Sequence, residues 1–302
     1  MRIIGHEERG KQMKIQSLSV VVPGKGCIND CLCCVSKMHG DEYKNHLEEN
    51  LPFYDLYLND YLKRLEFCRD NGCNTVLLTG NIEPQQNKRF LVDFGIMMRL
   101  MSHPFRNIEI QTTGSLIDEK MLRFLRNHVG VSTIALSLFS FNNEENHLCK
   151  GSRPIEPIDI SKFCAEIKKY DFNLRLCLNL TKYFSLRDVD FLFEICNKEL
   201  GADQVTLRRL YHQPDDHTEQ SKWVIENCID DFRYTELVKY IKKHSLIRKL
   251  EYGQTAYSIH GMSVVIDSDC MAKGENEDFK YLILRPNGKL YGSWDDPASL
   301  IF

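Results

Sequence analysis

Ile108 to Leu138 reads IEIQTTGSLIDEKMLRFLRNHVGVSTIALSL, and this stretch decides the fold. Apolar and polar residues alternate from Ile108 to Thr113, the period of a half-buried strand. Asp118, whose carboxylate can cap the free amides of a first turn, opens a helical stretch that runs to about Arg126. Alternation returns at Thr133 in TIALSLF. A strand, a helix and a second strand in direct succession predict two parallel strands joined by a helical crossover.

The same order extends on both sides. Upstream, Ser17 to Val22 reads as a strand that stops at Pro23-Gly24, Leu56 to Arg69 as a helix, and Thr75 to Gly80 as the strand TVLLTG. A helix is expected around Phe90 to Met101. Downstream come a helix near Ser161 to Tyr170, the strand LRLCLNL from Leu174, a helix near Asp188 to Asn197, and the strand QVTLRRL from Gln204. Six βα-type strands with right-handed crossovers predict an α/β chain, a partial (β/α)6 TIM-like barrel over residues 1–210. After Leu210 the pattern changes. Asp231 to His244 reads as a helix, and MSVVID and YLILRPNGKLYGSW read as antiparallel strands, the second turning at Asn287-Gly288. Residues 211–302 are therefore expected to form a C-terminal extension, a helix and an antiparallel β-hairpin, that caps the barrel.

Composition limits the function classes. The chain has 302 residues, 43% of them apolar and 27% charged, so disordered and collagen-like classes are poor fits. Thirty-nine basic against 42 acidic residues give a net charge of −3, without the basic excess of a general polynucleotide binder. The opening MRIIGHEERGKQMK is too polar for a signal peptide, and no apolar run approaches a membrane span. A cytoplasmic protein is expected, with no membrane partner.

Alternation also divides the faces of the strands. If Ile108, Ile110, Ile134, Leu136, Leu138, Leu174, Leu176, Leu178, Leu180, Val205 and Leu207 face the helices, the barrel interior receives Gln111, Thr113, Ser137, Arg175, Asn179, Thr206 and Arg208. Several lie near the carboxyl ends of their strands, where such barrels build active sites. Arg175 and Arg208 each require an acidic partner or an anionic ligand, and the sequence favours a ligand.

Twelve cysteines need an explanation, because disulfides rarely persist in the cytosol. Eight stand singly and read as small buried apolar residues. The other four crowd into Cys27-Ile28-Asn29-Asp30-Cys31-Leu32-Cys33-Cys34, in the loop 24–40 after the first strand. Cys27, Cys31 and Cys34 make C-x-x-x-C-x-x-C, and three thiolates on one loop can converge on three irons of a cubane cluster. A zinc site that recruits His39, or a cluster with Cys33 or a remote cysteine as fourth ligand, remains open at this point.

With these residues in place, the sequence resembles radical S-adenosylmethionine (SAM) enzymes over about Ser17 to Leu210. The resemblance implies that Cys27, Cys31 and Cys34 hold a [4Fe–4S] cluster whose open iron binds SAM. It also implies reductive cleavage to a 5′-deoxyadenosyl radical that abstracts hydrogen. Thr79-Gly80-Asn81-Ile82-Glu83-Pro84 stands where the family carries G-G-E-P, with Asn81 for the second glycine and Ile82 inserted. Cys33 stands where an aromatic residue is usual. Gln111-Thr112-Thr113-Gly114 is similar to the family's third-strand end, and Ser137 and Asn179 occupy fourth- and fifth-strand positions. The implied SAM pocket contains Gly80, Glu83 (for the ammonium), Thr113, Ser137, Asn179 and Arg208. Implied partners are an external one-electron donor such as flavodoxin or ferredoxin and a small anionic, nucleotide-like or carboxylated metabolite. A peptide is the alternative substrate, and a non-catalytic Fe–S or zinc protein the alternative from another class.

Overall fold

The computed structural model describes residues 15–38, 45, 47–48, 51–151, 156–184, 188–212, 217–249, 255–267, 279–294 and 296–302. The six expected strands are present as β1 (Ile15–Val21), β2 (Thr75–Thr79), β3 (Asn107–Thr112), β4 (Thr133–Leu138), β5 (Asn173–Leu180) and β6 (Gln204–Arg209). All pair in parallel with their sequence neighbours. The helices are α1 (Val35–Met38), α2 (Leu58–Asp70), α3 (Lys88–Leu100), α4 (Glu119–Phe124), α5 (Asn143–Cys149), α6 (Ile160–Lys169), α7 (Val189–Glu194), α8 (Glu219–Asn227) and α9 (Asp231–Lys242). Asp118 caps α4 as its sequence position suggests, accepting from the Met121 amide at 2.7 Å. Asp188 does the same for α7.

The C-terminal strands join the same sheet. They are β7 (Ser245–Lys249), β8 (Thr255–Ile259), β9 (Met262–Asp267), β10 (Phe279–Leu284) and β11 (Leu290–Tyr291). Among the described residues the order is β11-β10-β1-β2-β3-β4-β5-β6-β9-β8-β7, so the sheet is open, with β11 and β7 at its edges. The hairpin at Asn287-Gly288 is antiparallel, as read. The MSVVID and YLILRP segments pair antiparallel on one side, as read, β9 with β8 and β10 with β11, but on the other side β9 runs parallel to β6 and β10 parallel to β1, which was not expected. Both edges of the six-strand core would otherwise present unpaired backbone groups, and one strand from the C-terminal segment covers each. The sheet thus has eight consecutive parallel strands, although only six belong to the βα series.

The face assignment holds. Ile110, Ile134, Leu136, Leu174, Leu176, Leu178, Leu180, Val205 and Leu207 are buried in one apolar core beneath the helices. Gln111, Ser137, Arg175, Asn179, Thr206 and Arg208 are half-buried on the other face. A second, smaller apolar group, Val21, Leu47, Ile283 and Tyr291 with Tyr281 and Trp294 against it, adjoins β1 and β10. The concave face is therefore polar along β3–β6 and aromatic along β1 and β10.

Arg175 does not await a ligand. Its Nη1 lies 2.6 Å from Glu109 Oε2, and its Nε and Nη2 donate to Gln204 Oε1 at 2.8 and 2.5 Å. Glu109 shares the interior face near the amino end of β3, away from the carboxyl ends where such barrels build their sites. The register places this network opposite Thr133 and beside Gln204, at the amino ends of the strands and away from the cysteine loop. Arg175 is a staple of the barrel floor. Replacing it alone strands the carboxylate of Glu109, whose side chain is 3% exposed. Arg175→Met is expected to cost about 1–3 kcal/mol, below the range for a fully buried pair because the arginine keeps water contact. Glu109→Gln, which leaves the arginine both water and Gln204, should cost less. Urea unfolding with an unchanged m-value measures both, and equal losses would contradict the asymmetry.

Candidate active site

The cysteine loop leaves β1 at Pro23-Gly24 and turns back into α1 through Cys34 N→Cys31 O (3.2 Å) and Lys37 N→Cys34 O (3.0 Å). Cys27 is exposed and Cys31, Cys33 and Cys34 are half-buried. All four cysteines sit on this one loop. Burial pushes Cys31 well up, and the charges of Cys33, Cys34, Glu83 and Cys27 push it further. Cys27 and Cys34 are also raised, chiefly by burial. Such thiols keep their protons until a metal takes their place.

Three anchors hold the loop. Gln86, after β2, accepts from Ile28 N (3.0 Å) and from Glu83 N (3.1 Å), and donates to Gly26 O (3.0 Å). Asn29, itself buried, donates to Glu83 Oε1 and Thr113 Oγ1, each at 3.0 Å, and accepts from Ser115 Oγ at 2.9 Å. The end of α5 supplies the third: Asp30 N→Lys150 O and Leu32 N→Cys149 O, both 3.0 Å, flank Cys31. Gly151, at φ +56°, allows that approach, since a Cβ there would stand 2.1 Å from the Asp30 carbonyl oxygen.

The departures in the T-G-N-I-E-P segment acquire a structural meaning. Ile82, the inserted residue, is buried and packs on Gly24, where a Cβ would meet its Cδ1 at 2.1 Å. Gly80 lies against β1, a Cβ there reaching 3.3 Å from Val21 Cγ1. Glu83 is 4% exposed. Its Oε2 accepts from Thr112 Oγ1 (2.6 Å) and its Oε1 from Thr113 N and Asn29 Nδ2 (3.0 Å each). The carboxylate thus ties the cysteine loop to the end of β3. Thr113 sits at the centre of the network, its carbonyl accepting from Lys150 Nζ at 2.8 Å. Lys150 is 2% exposed, and burial draws its pKa down to about 8 against the opposing charges of Glu83 and Cys31.

Farther along the sheet, Ser137 stands on β4 in register with Cys177, and Asn179 Nδ2 reaches Leu138 O at 3.4 Å. Arg208 is the register partner of Asn179 on one side and of Asp267 on the other. Gly80, Glu83 and Thr113 are thus gathered with the cysteine loop at the carboxyl ends of β1–β3, while Ser137, Asn179 and Arg208 continue the same face toward β6. Asn29, Gln86, Lys150 and Gly151 were missed by sequence reasoning. His39 and Cys270 lie outside the described residues, as do residues 213–216 of the segment expected to help close the site. Cys33 is pushed strongly up, mostly by burial, with Cys34, Cys149 and Cys228 as its charged neighbours.

Residues 21–186, more than half of the chain, match the family model of the radical SAM superfamily. The chain belongs to this superfamily. It is an enzyme family that uses a [4Fe–4S] cluster and SAM. Among solved structures, the chain resembles anSMEcpe with bound AdoMet, with TM-score 0.61 and 16% identity over 93% of this chain and 75% of that one. It also resembles Streptococcus suis SuiB bound to S-adenosylmethionine, with TM-score 0.57 and 13% identity over 92% of this chain and 60% of that one. Coproporphyrinogen III oxidase (HemN) from Escherichia coli, a radical SAM enzyme, matches with TM-score 0.50 and 16% identity over 76% and 52%. At such identities the likeness is one of fold, and this radical SAM chain spans about three-fifths of the length of SuiB. No curated protein matches the sequence. Among the described residues no helix is long and apolar enough to cross a membrane.

The donor set fits the family's cluster. Among the described residues no three His, Cys, Asp or Glu side chains are grouped to hold a single ion, whereas a cubane takes each thiolate on a different iron and needs a wider spread. Soft thiolates on one loop suit iron–sulfur ligation.

Proposed function

We propose that Cys27, Cys31 and Cys34 hold the [4Fe–4S] cluster and that the polar face from Gly80 to Arg208 receives SAM and, beyond it, the substrate. The observation that supports this reading is the placement of the three cysteines together at the carboxyl end of β1, on a loop anchored to the ends of β2, β3 and α5. When bound, the cluster supplies one electron to SAM, whose cleavage gives methionine and a 5′-deoxyadenosyl radical that abstracts hydrogen. The chain's own residues orient and shield. Asn29, Gln86 and Lys150 fix the loop, Ser137 and Asn179 offer neutral hydrogen-bonding groups for the ribose, and Arg208 offers a guanidinium for a carboxylate. Glu83, turned inward on three donors, acts on the loop more directly than on the SAM ammonium.

The substrate reading shifts from the small anionic metabolite toward a peptide. Arg175 is committed to Glu109, which removes half of the arginine support for an anion. The fold is shared with SuiB bound to precursor peptide SuiA and with anSMEcpe bound to the Cp18Cys peptide. The aromatic side of the concave face, with Tyr281 and Trp294, suits a peptide side chain. A carboxylated metabolite held by Arg208 is the second reading. The two separate when peptide and small-molecule fractions of a cell extract are added to the reduced enzyme with SAM and 5′-deoxyadenosine is counted. Stimulation by the peptide fraction, lost after protease treatment, is expected. Stimulation by the small-molecule fraction alone would favour the metabolite.

A further inference from the structure

Two side chains of opposite charge type hold the backbone of one residue, Thr113, from either side beneath the cysteine loop. Thr113 N donates to Glu83 Oε1 at 3.0 Å, and Thr113 O accepts from Lys150 Nζ at 2.8 Å. Both side chains are almost wholly removed from water, at 4% and 2% exposure. Each is fastened to the loop as well. Glu83 accepts from Asn29, two residues from Cys27, and the Lys150 carbonyl accepts from Asp30 N, next to Cys31. Neither has water around it to screen its field, so each acts strongly on any charge placed at the loop.

We propose that Glu83 and Lys150 are positioning residues that form an opposed pair of buried charges setting how readily the cluster takes up an electron. The inference rests on the cluster ligation proposed above. Reduction adds one negative charge to the cluster. The Lys150 ammonium favours the reduced state and the Glu83 carboxylate disfavours it, so the pair holds the potential between the values either charge alone would impose. A purely structural role would loosen the loop whichever residue was replaced and would give the two substitutions no reason to act with opposite sign.

The test uses the full chain, reconstituted anaerobically without SAM, in a redox titration followed by electron paramagnetic resonance. Lys150→Gln is expected to lower the reduced-to-oxidised ratio at fixed potential about tenfold, a midpoint shift of about 59 mV downward for a one-electron couple. Glu83→Gln is expected to raise the ratio by a similar factor, the double variant to return near the parent, and Lys150→Arg to stay there. Shifts of the same sign, or no shift in either variant, would overturn the proposal. If Lys150→Gln takes up no cluster, Glu83→Gln decides alone: an upward shift supports the pair, and a downward or absent shift overturns it. A parent protein that assembles no cubane would instead refute the ligation, which iron and sulfide content reports independently.

Discussion

Replacing Cys27, Cys31 or Cys34 with Ala is expected to leave the reconstituted protein without a stable [4Fe–4S] cluster, with iron content and the reduced-state resonance signal both reduced to background. Cys33→Ala is expected to keep both. The difference comes from the surroundings of each thiol. Cys27, Cys31 and Cys34 carry the C-x-x-x-C-x-x-C spacing on the anchored loop. Cys33 is set among Cys34, Cys149 and Cys228, and its thiol is driven strongly up by burial. Cys33 lies outside that spacing, and a thiol that binds no metal behaves as a small apolar residue. Truncating it removes little volume and no ligand. Iron and sulfide analysis with electron paramagnetic resonance decides the assignment. A Cys34→Ala protein that retains the cluster while Cys33→Ala loses it would reverse the assignment.

Gly151→Ala is expected to have the largest effect of any single methyl group added to the chain near this site. The residue sits at φ +56°, where an L side chain costs about 1–2 kcal/mol. The new Cβ would also meet the Asp30 carbonyl oxygen at 2.1 Å and its carbon at 2.8 Å. Both are backbone atoms, so no rotamer change relieves the contact. The Asp30–Leu32 segment must move away from Cys149 and Lys150, breaking the bonds that flank Cys31. The expected result is cluster content cut to a small fraction of the parent with far-UV circular dichroism nearly unchanged, because β1–β6 do not pass through this contact. Parental cluster content in Gly151→Ala would show that the loop does not need this approach.

The strands of the βα series were legible because period-2 alternation is strong and turn residues bound it. Thr75 to Gly80 was read as a strand and β2 covers Thr75–Thr79; the helix expected from Asp118 is capped by Asp118. The partners of β9 and β10 were not legible, because a strand's own residues do not say which open edge it will cover. The candidate ligand loop stands out in the sequence by its crowded cysteines. Its anchors do not. Gln86 lies 58 residues from Ile28, and Glu83 lies 54 from Asn29, so no local pattern links them. Lys150 reads in sequence as an ordinary helix-end lysine, and only the packing of α5 on the loop buries it. Arg175 shows the opposite failure. Alternation placed it correctly on the interior face, but the place of the anionic ligand inferred for it is taken by Glu109, another residue of the same face.

The central claim is that this anchored loop performs SAM chemistry. The most direct measurement incubates the anaerobically reconstituted protein with SAM and a low-potential reductant and follows 5′-deoxyadenosine and methionine by mass spectrometry. The account predicts both products from the parent protein and neither from Cys31→Ala. A fully loaded [4Fe–4S] protein that binds no SAM and yields no 5′-deoxyadenosine under strong reduction would contradict it.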